Sequence, residues 1–126
     1  MSAPPAACYP GRAAIEAYGN GGFRFAGMSH RGSILCLPSG IYAWPPLRAE
    51  DISLATLAPA LTERDGLDLL LIGSGGVGVV PAWDLRKSFA DLGVAIESMD
   101  TGAACRTYNV LLAEARPVAA ALIAVN

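Results

Sequence analysis

The stretch LLLIGSGGVGVVPAWDLRKSFADLGVAIES, from Leu69 to Ser98, decides the fold. Its opening apolar run is typical of a strand that is covered on both faces of a sheet. The pattern predicts a helix that begins at Pro81, ends at Gly93 and buries Leu85 and Phe89. A second strand follows at once. Strand, helix and strand in this order predict a right-handed crossover if the two strands are parallel, and the loops after Ile72 and Ser98 then lie at the same carboxyl edge of the sheet.

The chain on either side of this stretch completes the expected architecture. Before Pro45-Pro46, short apolar runs alternate with turn signals, which predicts a meander of β-hairpins. Leu54, Leu57 and Leu61 indicate a short helix that Pro59 kinks or splits. A helix over about 103–115 and a last strand follow. The predicted fold class is α/β, a three-layer single domain with a mixed sheet, in which N-terminal β-hairpins precede alternating helix-strand units.

Length and composition narrow the function classes. The chain has 126 residues and a net charge of −2, which predicts a single domain over 1–126 with 1–11 as a flexible tail. No block of Lys or Arg is present, and this disfavours nucleic-acid binding. No apolar run approaches the roughly 18 residues of a membrane span. The N-terminal residues resemble no signal peptide, so we expect a cytoplasmic protein, mitochondrial only if a leader has been removed.

Cysteine and histidine usage predicts no metal and no cofactor. Cys8, Cys36 and Cys105 are an odd number without C-x-x-C spacing, and His30 is the single histidine. A zinc site needs about four clustered ligands, and a disulfide framework needs pairs. Free, mostly buried thiols are therefore expected.

The glycine-rich loop superficially matches a dinucleotide fingerprint. Gly73, Gly75 and Gly78 spell G-x-G-x-x-G after a strand, but a helix that begins at Pro81 leaves Gly78 outside it. NAD or FAD binding is disfavoured for that reason. We favour a structural role, in which the glycines supply positive-φ positions where a buried strand leaves the sheet. Contact with a small ligand through exposed backbone N–H groups stays open as an alternative.

The segment ESMDTGAACRTYNVLLAEARPVAAALIAV, from Glu97 to Val125, carries a family resemblance, and YGNGGFRFAG and GSILCLP agree with it. The chain resembles a widespread family of small uncharacterised proteins whose eukaryotic members include a mitochondrial complex I assembly factor of the NDUFAF series. The resemblance implies a three-layer α/β fold and no established catalytic residues. It suggests a prokaryotic relative.

Three functional hypotheses follow. The first is a non-enzymatic interaction or assembly factor whose protein partners are respiratory-complex or membrane-biogenesis proteins, with a homo-oligomer left open. The second is a small-ligand or nucleotide-binding domain that uses the Gly73–Gly78 loop and the start of the last helix. The third is a thiol enzyme at Cys105, since a thiol in the first turn of a helix has a lowered pKa.

The candidate ligand-binding residues surround the expected edge of the sheet. They are Gly73, Ser74, Gly75, Gly76, Asp100, Thr101, Cys105 and Asn109. Asp100 or Thr101 is expected to cap the last helix. For Asn109 we favour a clamp on backbone groups of a neighbouring loop, with Gly73–Gly76 as its candidate target, over a ligand contact. For Cys105 we favour a small buried hydrophobe over a nucleophile.

Overall fold

The structure, a computed structural model, describes residues 7–126. Its strands and helices are β1 (Ile15–Gly19), β2 (Gly22–Phe25), β3 (Met28–Arg31), β4 (Ser33–Leu37), β5 (Gly40–Trp44), α1 (Ala58–Thr62), β6 (Leu69–Gly73), α2 (Trp83–Ala90), β7 (Ala95–Met99), α3 (Thr101–Ala113) and β8 (Val118–Leu122). Short 3-10 turns flank α1 at Ala49–Asp51 and Arg64–Gly66. The predicted hairpin meander corresponds to β1–β5.

The strands form two sheets. β1, β2 and β3 make an antiparallel three-stranded sheet, and the larger sheet has the order β5-β4-β8-β6-β7. Within the larger sheet β6 is parallel to both β7 and β8, whereas β4 is antiparallel to β5 and β8. Gly73 pairs with Met99 on one side and Leu122 on the other, so the carboxyl ends of three parallel strands meet at one edge. The mixed sheet is confirmed.

The larger sheet is the middle of three layers. Leu70 and Ile72 of β6 pack on one face with Leu85 and Phe89 of α2. Leu71 points to the other face, into a cluster with residues of α3 and of the small sheet. Each face of β6 therefore contacts a separate hydrophobic cluster, which explains its unbroken apolar run. This is the three-layer α/β arrangement that the sequence predicts.

Several predicted element boundaries are wrong by a few residues. α2 begins at Trp83, with Pro81 outside the helix, because the preceding Ala82 still has extended backbone (φ −56°, ψ 146°). α3 begins at Thr101, earlier than expected, because Asp100 caps it. The helix predicted from Leu54, Leu57 and Leu61 is shorter in the structure, where it is α1. A helix accepts proline only in its first turn, so α1 begins immediately before Pro59. Leu54 therefore lies outside the helix and is exposed.

The predicted tail, residues 1–11, is partly corrected. Residues 1–6 lie outside the described part of the chain. Tyr9 forms an antiparallel bridge with Ile41 of β5, and the N–H of Cys8 donates to the Ile41 carbonyl at 2.7 Å. These contacts hold the segment against the edge of the larger sheet. Over residues 7–126, no helix is both long and apolar enough to cross a membrane.

Candidate functional site

The exit loop, residues 74–82 between β6 and α2, starts at the carboxyl edge of the parallel strands and is tied to the start of α3. The N–H of Gly75 donates to the Thr101 hydroxyl at 3.0 Å, and the N–H of Thr101 donates back to the Gly75 carbonyl at 2.8 Å. The same hydroxyl donates to the Ile123 carbonyl at 2.7 Å. One fully buried threonine thus joins the loop, the helix and the end of β8.

Ser74 closes the exit loop on itself. Its hydroxyl donates to the Val77 carbonyl at 2.7 Å, with the Met99 carbonyl 3.2 Å away as the alternative acceptor, and it accepts from the N–H of Val79 at 2.8 Å. Buried polar groups that are satisfied in this way hold a loop in one conformation. The loop is therefore pre-organised by its own hydrogen bonds.

The glycines at the end of β6 and in the exit loop serve two different purposes. Of Gly73, Gly75, Gly76 and Gly78, only Gly75 has a positive φ, at 102°, so the expectation that the glycines supply positive-φ positions holds for Gly75 alone. Gly73 is required by space instead. A Cβ there would lie 3.0 Å from both the Thr101 Cα and a Leu122 methyl. Because the strand end and the helix start touch, no open pocket separates Gly73 and Gly75 from Thr101.

Asp100 and Cys105 occupy separate environments. The Asp100 carboxylate accepts from the N–H of Ala103 at 3.0 Å and caps α3, as expected. Cys105 is 2% exposed and packs in the cluster that the larger sheet forms with α3 and the small sheet. Burial raises the pKa of the Cys105 thiol to about 12, and the nearby Arg106 offsets this only in part. A thiol with so high a pKa is a poor nucleophile at neutral pH.

Asn109 is a clamp, but its predicted target is wrong. Its amide accepts from the N–H of Ile15 and donates to the Ile15 carbonyl, both at 2.8 Å. Eight residues of helix separate Asn109 from Thr101, which is a rise of about 12 Å. The glycine loop is out of reach for that reason. Of the candidate residues, the structure joins Gly75 to Thr101 by two hydrogen bonds, with Ser74 next to Gly75 in the chain and the cap residue Asp100 next to Thr101.

The outer side of the exit loop borders two grooves. The α2 groove, of about 420 Å³, lies between the segment 49–54, the exit loop and α2. The loop groove, of about 570 Å³, lies between the segment 47–50, the exit loop and residues 123–126. Val79 and Glu50 line both grooves. The candidate residues Ser74, Gly75 and Gly76 line the loop groove, and Ser74 also lines the α2 groove.

Large exposed apolar side chains line these grooves, and the exposed Trp83 follows the exit loop in the chain. We call the set the apolar rim: Leu47, Leu54, Val77, Val79, Val80 and Trp83. Val77 is 72% exposed, Val80 71% and Trp83 66%. Sequence reasoning missed the rim, although the run VGVVPAW carries its signal: four large apolar residues that lie in neither the strand nor the apolar stripe of the helix.

Comparison with known proteins identifies the family. Residues 15–123 match the family described as protein of unknown function DUF498/DUF598. The chain belongs to the DUF498/DUF598 family. An uncharacterised DUF498/DUF598 relative from Rhodobacter capsulatus is 37% identical over 96% of this chain and 92% of its own length.

One relative has a name that states a role. NADH dehydrogenase [ubiquinone] 1 alpha subcomplex assembly factor 3 from Xenopus tropicalis is 33% identical over 86% of this chain and 60% of its own length. The chain therefore spans about 60% of that protein. The predicted resemblance to complex I assembly factors is confirmed.

Solved structures share the DUF498/DUF598 fold. A chain described as an outer membrane protein from Bartonella henselae has 49% identity and a TM-score of 0.90, covering 94% of this chain and 99% of that one. The Rpa2829 protein from Rhodopseudomonas palustris has 40% identity and a TM-score of 0.82, covering 99% and 90%.

Proposed function

We propose that this DUF498/DUF598 protein is a non-enzymatic interaction factor that holds partner subunits while a membrane respiratory complex is assembled. The observation that carries the proposal is the apolar rim, in which Val77, Val79 and Val80 lie on a loop that the hydrogen bonds of Ser74 and Thr101 hold in place. Clustered exposed apolar side chains mark protein–protein surfaces. A surface that is already ordered loses little conformational entropy on binding. The named assembly factor among the relatives supports the choice of partner class.

The two alternative functions receive less support from the geometry. The small-ligand hypothesis needs open space between Gly75 and Thr101, where the two residues instead bond to each other. The thiol-enzyme hypothesis needs a reactive Cys105, whose thiol is buried with a raised pKa. Among the named relatives, the Xenopus protein carries the name of an assembly factor. We propose that the protein acts in the cytoplasm of a prokaryotic cell.

Affinity capture with chemical crosslinking in the native host tests the proposal. The bait is the full chain, compared with Val80→Asp in the apolar rim and with the matched variant Val110→Asp. Val110 is a similarly exposed valine on α3, in the layer on the other side of the sheet. Wild type and Val110→Asp are expected to recover respiratory-complex or membrane-biogenesis proteins, and Val80→Asp is expected to lose them.

Two results would contradict the proposal. Wild type could recover no such protein, or Val80→Asp could recover the same set as wild type. Circular dichroism and thermal unfolding of both variants ensure that a lost partner reflects the surface and not the fold.

A further inference from the structure

The α2 groove has an apolar interior. Ile72 and Leu85, both buried in the core, contribute to its floor, and Val79 and Val80 of the exit loop line it. Leu54 lines it from the segment before α1. A concave surface of this composition accepts apolar side chains of another molecule and removes them from water.

The charged residues that line the α2 groove are both acidic. Glu50 comes from the segment 49–54, and Asp84 from the first turn of α2. Arg48 approaches Glu50 at 3.8 Å, but both side chains are at least 70% exposed, so this pair contributes little. Lys87, on the next part of α2, is bonded to Asp91 at 2.8 Å. An apolar groove with carboxylates on two of its sides favours a basic occupant.

We propose that the α2 groove binds an amphipathic segment of a partner protein whose leucine-like side chains enter the groove and whose lysine or arginine side chains meet Glu50 and Asp84. The inference rests on the proposed function, since it names the partner chemistry of the same surface. The acidic groove disfavours an anionic membrane surface as the occupant, because its carboxylates and the lipid headgroups repel each other.

Two matched synthetic peptides test this partner chemistry. Both carry leucines at i, i+3, i+4 and i+7, with flanking lysines in one and flanking glutamates in the other. Fluorescence anisotropy of the labelled peptides measures binding to the full chain. The lysine peptide is expected to bind at least about tenfold more tightly, which is about 1.4 kcal/mol. Its affinity is expected to fall as salt screens the carboxylates.

Variants of the groove identify the source of that preference. The double variant Glu50→Gln with Asp84→Asn is expected to bring the two affinities within about twofold, and Glu114→Gln, at the far end of α3, is expected to preserve the difference. The substitution Asp84→Asn keeps a side-chain oxygen that can accept from the N–H of Leu85, so the first turn of α2 retains this bond. Equal binding of both peptides, no binding of either, or an unchanged preference in the double variant would overturn the proposal.

Two further measurements test whether the α2 groove binds a different occupant. Binding to anionic phosphatidylglycerol vesicles that Val80→Asp abolishes would assign the groove to a membrane. Self-association in sedimentation equilibrium that Val80→Asp abolishes would assign it to a second copy of the chain. Either result overturns the basic-segment proposal. If respiratory partners are captured while the lysine peptide fails to bind, the partner chemistry is wrong and the proposed function stands.

Discussion

The side-chain amide of Asn109 binds the backbone of Ile15 in the way that a neighbouring strand would. It accepts from the N–H of Ile15 and donates to the Ile15 carbonyl, at 2.8 Å each. The two residues are 94 positions apart in the chain. Ile15 lies at the start of β1, next to a register shift between Ile15 and Ala17. The amide therefore satisfies backbone groups at the irregular end of the small sheet and joins that sheet to α3.

Loss of this clamp is expected to destabilise the protein. Asn109→Ala leaves two backbone groups of Ile15 without their partners, which costs about 1–3 kcal/mol of the free energy of unfolding. Urea unfolding measures the cost, with Val110→Ala as the control at the neighbouring exposed position. Asn109→Asp keeps an acceptor for the N–H but sets an oxygen against the Ile15 carbonyl, so it is expected to be no better than alanine. Equal stability of Asn109→Ala and wild type would refute the role.

Substitution by alanine is expected to lower the stability of the protein at Gly73 but not at Gly76. Gly73→Ala forces a methyl group against Thr101 and Leu122 and is expected to cost about 1–3 kcal/mol by overpacking. Gly76→Ala meets no atom within 4 Å and is expected to be neutral or slightly stabilising. Thermal unfolding of the pair measures the difference. A Gly76 variant as unstable as the Gly73 variant would show that packing is the wrong explanation.

The three cysteines are expected to react at different rates. Cys8 is exposed, with its sulfur 3.8 Å from the Nδ1 of His30, whereas Cys36 and Cys105 are buried. An aromatic disulfide reagent at neutral pH is therefore expected to modify one thiol quickly and two only after unfolding. Cys8→Ser removes the fast phase. Rapid labelling of Cys105 in that variant would revive the thiol-enzyme hypothesis.

Alkaline pH is expected to destabilise the fold through the buried thiols. Burial raises the pKa of Cys105 from 9.0 to about 12, and burial also raises that of Cys36. The unfolded state releases its thiol protons first, so the free energy of unfolding falls as pH rises from about 9 towards 12. Below pH 9 these thiols have no such effect. Cys105→Ala is expected to lessen the fall measured by urea unfolding, since Cys36 still contributes. A wild-type stability that does not fall over this window contradicts the prediction.

Much of the architecture is accessible from the sequence because its signals are local. The unbroken apolar run of β6 predicts a strand between two layers, and the repeated helix-strand order predicts parallel neighbours. The meeting of the exit loop with Thr101 follows from that parallel pairing. The family resemblance supplies the three-layer arrangement independently.

The partner of Asn109 and the apolar rim, which the sequence does not predict, depend on contacts between distant parts of the chain. The partner of Asn109 could not be predicted, since only the docking of the small sheet brings Ile15 beside α3. The apolar rim was missed because the valines next to the glycines resemble a continuation of the strand. Their exposure follows from the sharp exit at Gly75, where Ser74 and Thr101 bend the chain away from the sheet.

The position of β8 has a consequence for how the protein is made. β8 (residues 118–122) lies between β4 and β6 in the larger sheet. Without β8, no backbone pairing connects the hairpin β4–β5 to the pair β6–β7. During synthesis these two parts leave the ribosome with unpaired strand edges that invite wrong pairings. Insertion of β8 is then the step that converts two open fragments into one sheet, and a nascent chain that stalls before residue 118 is expected to depend on chaperones.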